Sequence, residues 1–161
     1  MNNDDCTPAA DLVAGLESDR PTILLVDDNE QNRELLTAYL EDLPCRIETA
    51  VDGVQALEKV AALNPDLVLL DIMMPRMSGF QVCERIKADP SHRDIPVIMV
   101  TALNEVADVE RAVEAGTDDF LTKPVNRLEL VTRVTSLLRV RAMKRELDRA
   151  VEQVRQLKNR E

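Results

Sequence analysis

The stretch that decides the fold is Leu67-Val-Leu-Leu-Asp-Ile72, the most apolar strand of the chain, with a carboxylate at its penultimate position, followed by Met73-Met-Pro-Arg-Met-Ser-Gly79. A run this short and this apolar suits a strand buried on both faces of a sheet. It is bounded upstream by Asn64-Pro65, which halts the preceding helix, and downstream by a loop holding Pro75 and Gly79. Working outward, the same pattern recurs. Ile23–Val26, Arg46–Ala50, Val97–Val100 and Asp119–Thr122 read as strands. Between and after them lie segments of helical spacing. Glu30–Leu43 carries Leu35, Leu36, Tyr39, Leu40 and Leu43. Gly53–Leu63 sets Val54, Leu57, Val60 and Ala61 on one face, and Gly79–Ala88 turns Val82, Cys83 and Ile86 inward. Glu105–Ala115 ends at Gly116, and Asn126 caps a last, long helix. Five strands alternating with five helices predict an α/β, doubly wound parallel sheet with helices on both faces.

Composition fits this reading. Apolar residues form 45% of the 161, enough for a full core, and with aromatics at 2% and no Trp that core is aliphatic. The formal net charge of −10 argues against broad attraction to nucleic acid or an anionic membrane. Cys6, Cys45 and Cys83 form no C-x-x-C pair, and His92 is the only His, so neither a disulfide framework nor a zinc site is expected. His92 lies in a polar loop, where a solvated side chain is the preferred reading. Residues 1–20 are polar and acidic and are read as a flexible extension without the apolar core of a signal peptide. No membrane span is expected, and the location expected is cytoplasmic.

In doubly wound sheets ligands bind beyond the C-terminal ends of the strands, at a switch in strand order. The first strand ends in Asp27-Asp28, the third in Asp71, the fourth in Thr101-Ala102 and the fifth in Lys123-Pro124. Three carboxylates at close range repel unless a cation joins them. An all-oxygen donor set favours Mg²⁺ or Mn²⁺. A carboxylate beside such a cation, a lysine and a hydroxyl suits phosphoryl transfer. Taken singly, Asp-Asp after a strand is usually a turn or cap, with Asp28 or Asn29 as the capping residue, and a strand-end lysine is usually solvated. The joint placement is what points to a site.

The segments ILLVDDNEQNRELL, LVLLDIMMPRMSGF, PVIMVTA and GTDDFLTKPV, in that order and spacing, resemble the signature segments of the response-regulator receiver family, from about Thr22 to Leu138. The resemblance implies the flavodoxin-like strand order 2-1-3-4-5 and Asp71 as the phosphoacceptor for a sensor histidine kinase or phosphotransfer protein. Asp28 and the carbonyl of Met73 would bind Mg²⁺ directly, and Asp27 mainly through metal-bound water. Lys123 would hold a phosphoryl oxygen. Thr101 and Phe120 would form the switch, although Phe120 is also read as a plain core aromatic. The N–H groups of Met73 and Ala102 would complete the phosphate cradle. The bond between Lys123 and Pro124 resembles one that is usually cis in the family. Met73 and Leu103 stand at positions that tune acyl-phosphate hydrolysis, and both are bulky and apolar, so slow autodephosphorylation is expected. On this reading the chain is a signalling domain acting on a protein target, not an enzyme with a separate substrate.

A hydrolase working through an aspartyl phosphate is the competing class. Asp71-Ile72-Met73 lacks the second Asp of the D-x-D pattern such phosphatases need. A docking module that has lost phosphorylation is a third, and the intact acidic set argues against it.

From Asn126 to Lys158 there is neither Pro nor Gly. Val140, Leu147 and Val154 fall seven apart, and Met143, Ala150 and Leu157 repeat the spacing three residues later, an a/d seam. The division expected is an extension over 1–20, a receiver domain over 21–138 and a helical, coiled-coil extension over 139–161 that forms a homodimer. An exposed single helix and a linker into a further domain are the alternatives. Arg139 and Lys144 would face each other unfavourably in a parallel pair. No helix-turn-helix follows, so nucleic-acid binding is not expected.

Overall fold

The structure, a computed structural model, describes residues 20–102 and 106–160. All of the expected N-terminal extension except Arg20 lies outside the described residues, as does Leu103. In chain order the elements are β1 (Thr22–Val26), α1 (Glu30–Leu40), β2 (Arg46–Ala50), α2 (Gly53–Leu63), β3 (Leu67–Asp71), α3 (Gly79–Ala88), β4 (Val97–Thr101), α4 (Val106–Ala115), β5 (Asp119–Thr122) and α5 (Arg127–Lys158). The strands form one parallel sheet in the order β2-β1-β3-β4-β5, the flavodoxin-like order.

Strand periodicity divides the core. Leu24, Val26, Val68, Leu70, Val97 and Met99 face α2, α3 and α4, where they meet Val60, Val82, Cys83 and Ile86. Ile23, Leu25, Leu67, Leu69, Ile98 and Val100 face the other way, onto Leu36 and Leu40 of α1 and Leu130, Val134 and Leu138 of α5. Because β3 is central and buried at every position, its apolar run is continuous rather than alternating.

Local stop and start signals act as the residues dictate. Asn64 ends α2 in the left-handed region at φ 46°, and Gly116 follows α4 at φ 93°. Ser78 and Gln81 form a reciprocal capping box at the start of α3.

The inner faces of two helices differ from expectation. Val54 is 54% exposed and Ala61 is exposed, whereas Gly53, Ala56 and Val60 face the core. A Cβ on Gly53 would stand 2.9 Å from both Met77 Cβ and Val82 Cγ2, so the small-residue stripe turns inward to let α2 approach α3. Helix α1 stops at Leu40 rather than Leu43, and Leu35 is 47% exposed. Leu43 is still buried, reaching the core from the turn that follows. Among the described residues no helix is long and apolar enough to cross a membrane.

Candidate functional site

All four motif-bearing strands end on the same rim, because a parallel sheet presents every C-terminus on one side. Asp27 follows β1 and is almost fully buried. It is gripped along its length. Its N–H donates to the Ala50 carbonyl at 3.2 Å, and its Oδ1 accepts the Asn29 N–H at 2.9 Å. Its own carbonyl accepts Arg33 Nη1 at 2.7 Å. Asn29 caps α1, accepting the Asn32 N–H at 3.1 Å. The capping role therefore falls on Asn29, not on the exposed Asp28.

Asp71 closes β3, 5% exposed, with its Oδ1 accepting the Met73 N–H at 3.3 Å. Carboxylate oxygens of Asp27, Asp28 and Asp71 lie within 4.8 Å of one another. Lys123 Nζ stands 3.5 Å from Asp27 Oδ2 and 3.5 Å from Asp71 Oδ1, one cation shared by two buried anions. Burial foremost, then the charge of Asp27, pushes the Asp71 carboxyl up to about 6, against the pull of Lys123 and the Met73 N–H. The cluster thus carries more negative charge than its own lysine offsets. Hard oxygens in that surplus fit a hard divalent cation.

Thr101 ends β4 fully buried, and its carbonyl accepts the Lys123 N–H at 2.7 Å, which ties the ends of β4 and β5 together. The Lys123-Pro124 bond is cis. Phe120 is half-buried against the core cluster on the α3–α4 side and pairs in register with Met99. Met73 is 62% exposed, and Ala102 lies exposed in the bend after β4. So Asp27, Asp28 and Asp71 form one cluster that Lys123 joins through Asp27 and Asp71, Thr101 and Ala102 stand at the adjoining strand end, and Phe120 lies outside the acidic cluster.

Sequence reasoning missed Arg33. Its spacing from Asp27 carries no motif, and only the return of α1 over the strand end makes the contact. It also missed the acceptors for the long helix, which come from distant loops. Asp66 Oδ1 lies 3.4 Å from Arg141 Nε and 2.6 Å from Arg145 Nη1, and Asp94 Oδ1 lies 2.6 Å from Lys144 Nζ.

This sheet order, with an acidic cluster at its switch point, marks the receiver class of signalling domain. The chain belongs to the response regulator receiver domain family, which it matches over residues 23–135. It is 46% identical over 125 residues to the response regulator PleD of Caulobacter vibrioides, a match covering 78% of this chain and 28% of PleD. It is 40% identical over 119 residues to the DNA-binding dual master transcriptional regulator RpaA of a Synechocystis species, covering 74% of this chain and 49% of RpaA. This chain therefore spans less than half the length of either relative. Among solved structures, the receiver domain of an HD domain-containing protein from Pseudomonas fluorescens superposes with a TM-score of 0.74 at 30% identity, over 79% of this chain and 93% of that one.

Proposed function

We propose that this chain is a phosphorylation-dependent switch of a two-component phosphorelay, with Asp71 as its phosphoacceptor. The observation that carries the reading is the meeting of Asp27, Asp28 and Asp71 within 4.8 Å, with Lys123 bridging two of them. The donor is a phosphohistidine on a sensor histidine kinase or phosphotransfer protein. An Asp71 carboxylate oxygen forms the new bond to phosphorus as the P–N bond to the imidazole breaks, and the departing imidazole nitrogen takes up a proton. Asp28, Asp71 and the Met73 carbonyl would hold Mg²⁺, or Mn²⁺, with Asp27 acting mainly through its water. Such an ion would supply positive charge that lets the acids ionise together and draws the phosphoryl oxygens.

Each protein group then has a task. Lys123 neutralises phosphoryl charge, and the Met73 and Ala102 N–H groups donate to the phosphoryl oxygens. The Thr101 hydroxyl and the Phe120 ring shift toward the modified side chain. The surface formed by α4, β5 and α5 changes its preferred protein target as a result, which requires biasing an existing equilibrium by only a few kcal/mol. The receiver unit spans 21–138, and 139–161 is a coiled-coil extension through which two copies pair. The setting is cytoplasmic. With a formal net charge of −10, a protein target is favoured over nucleic acid.

The test is phosphorylation by acetyl phosphate or a cognate kinase with Mg²⁺ present. Asp71→Asn is expected to abolish labelling. Label that persists on that variant would move the acceptor to another residue, and turnover of small phosphate esters would favour the hydrolase class instead.

A further inference from the structure

Beyond Leu138 the last helix leaves the core, yet it is not loose. Asp66, just before β3, takes Arg141 and Arg145, and its Oδ2 also accepts the Thr22 N–H at 2.8 Å. Asp94, before β4, takes Lys144 through its carboxylate, and its carbonyl accepts Arg141 Nη1 at 3.0 Å. Both acids lie at the N-terminal ends of strands, on the rim opposite Asp71. The Arg141 side chain is only 10% exposed, so the contact is a packed one. Together these bonds fix the first two turns of the extension to the body.

The clamp and the apolar seam use different sides of the helix. With Val140, Leu147 and Val154 as a positions and Met143, Ala150 and Leu157 as d positions, Arg141 and Arg145 fall at b and f, opposite the seam. Lys144 falls at e, on the flank. The body therefore sits mainly behind the seam, although the first seam residue, Val140, also lines a cavity with Asp94 and Pro96 of the body. Val140, Met143, Leu147, Val154 and Leu157 are each more than half exposed.

The clamp also changes the charge balance. In a parallel pair the g residue of one helix faces the next e residue of the other, which sets Arg139 against Lys144. Asp94 Oδ1, 2.6 Å from Lys144 Nζ, offsets that charge from within the same chain. Valine at two of the three a positions further favours a parallel two-stranded pair. Three heptads are marginal alone, and a helix already ordered at its base loses less entropy on pairing.

We infer that a second copy of this chain covers the seam, parallel and in register, and that the Asp66 and Asp94 clamp selects this geometry by turning the seam outward and offsetting Lys144. This rests on the dimeric reading above and adds to it the orientation and its cause. The acidic pocket, on the opposite rim, stays open in such a pair.

The experiment uses the full chain in sedimentation equilibrium over a concentration series, beside disulfide trapping read by mass spectrometry of the linked peptides. A dimer is expected that Leu147→Glu dissociates. Asp94→Asn should weaken it about five-fold, as expected for two symmetry-related exposed charge pairs, and Arg139→Glu added to Asp94→Asn should restore it by facing Lys144 with an acid. Leu157→Cys should link to itself across the pair. A monomer at every concentration would overturn both this inference and the dimeric reading. A dimer in which Val140→Cys links to Leu157→Cys, or one indifferent to Asp94→Asn, would leave the dimer standing and overturn the inference, as would a higher oligomer.

Discussion

Lys123 Nζ stands 3.5 Å from Asp71 Oδ1, longer than a strong charge-assisted hydrogen bond, because the same ammonium is held at 3.5 Å by Asp27. The lysine is thus shared rather than committed. It can turn to an anion arriving at Asp71 without first breaking a short bond. Lys123→Met keeps the length and removes the charge. Acetyl phosphate labelling of Asp71 should then slow by about 10- to 100-fold, the loss expected for a hydrogen bond to a charged group. Labelling at the unaltered rate would mean that Lys123 has no part in transfer.

The raised Asp71 carboxyl carries a stability cost with a defined sign. Its ordinary value is 3.8 and its folded value about 6, so between these the folded state holds a proton that the unfolded state has released. Stability contributed by the protonated group is complete below about 4 and is lost as pH rises through about 6. Without divalent cation, Asp71→Asn should therefore be more stable than the parent by about 2–3 kcal/mol at pH 7 and by much less near pH 4. Denaturant melts of both proteins in EDTA across that range check this. Adding Mg²⁺ should narrow the neutral-pH gap by stabilising the parent. A gap that widens toward acid pH would contradict the assignment.

Four of the candidate-site residues were legible in the sequence because each ends or directly follows a strand of a parallel sheet, where the topology alone gathers Asp27, Asp71, Thr101 and Lys123 on one rim. The strands were legible because burial on both faces leaves short runs that only apolar residues fill. Helix orientation was less legible. Around α2 the packing rewards the missing side chain of Gly53 and the small one of Ala56, and a search for apolar spacing picks Val54 instead. The contacts of Arg33, Asp66 and Asp94 were not legible at all. Asp66 meets Arg145 across 79 residues of chain, and no local pattern encodes such a meeting.

Gly79 shows how tightly the loop after Asp71 is built. A Cβ placed there would lie 2.4 Å from the Asp71 carbonyl oxygen and 2.8 Å from Ile72 Cα, both backbone atoms that cannot swing aside. The Gly79 N–H also donates to the Ile72 carbonyl at 3.0 Å, holding the start of α3 against the end of β3. Gly79→Ala should cost about 1–3 kcal/mol through overpacking and lower the rate of Asp71 labelling in the fraction that folds. A variant with parental stability and labelling would show that the loop yields more readily than this contact implies.

On the proposed function, persistence of an acyl phosphate on Asp71 would depend on what stands beside it. Met73 follows Asp71 by two residues, donates its N–H to the Asp71 carboxylate and projects a side chain that leaves the residue 62% exposed. A thioether accepts hydrogen bonds only weakly and donates none, so it cannot orient a water for attack on phosphorus. Water would have to approach unaided, and the phosphoryl group should outlast the seconds scale on the purified protein. Met73→Asn puts an amide with a donor and an acceptor at that position and should shorten the lifetime several-fold. Chase of radiolabelled protein after removal of the phosphodonor measures both lifetimes. A parent that loses its label within seconds, or a variant that retains it as long as the parent, would show that this side chain does not govern access of water.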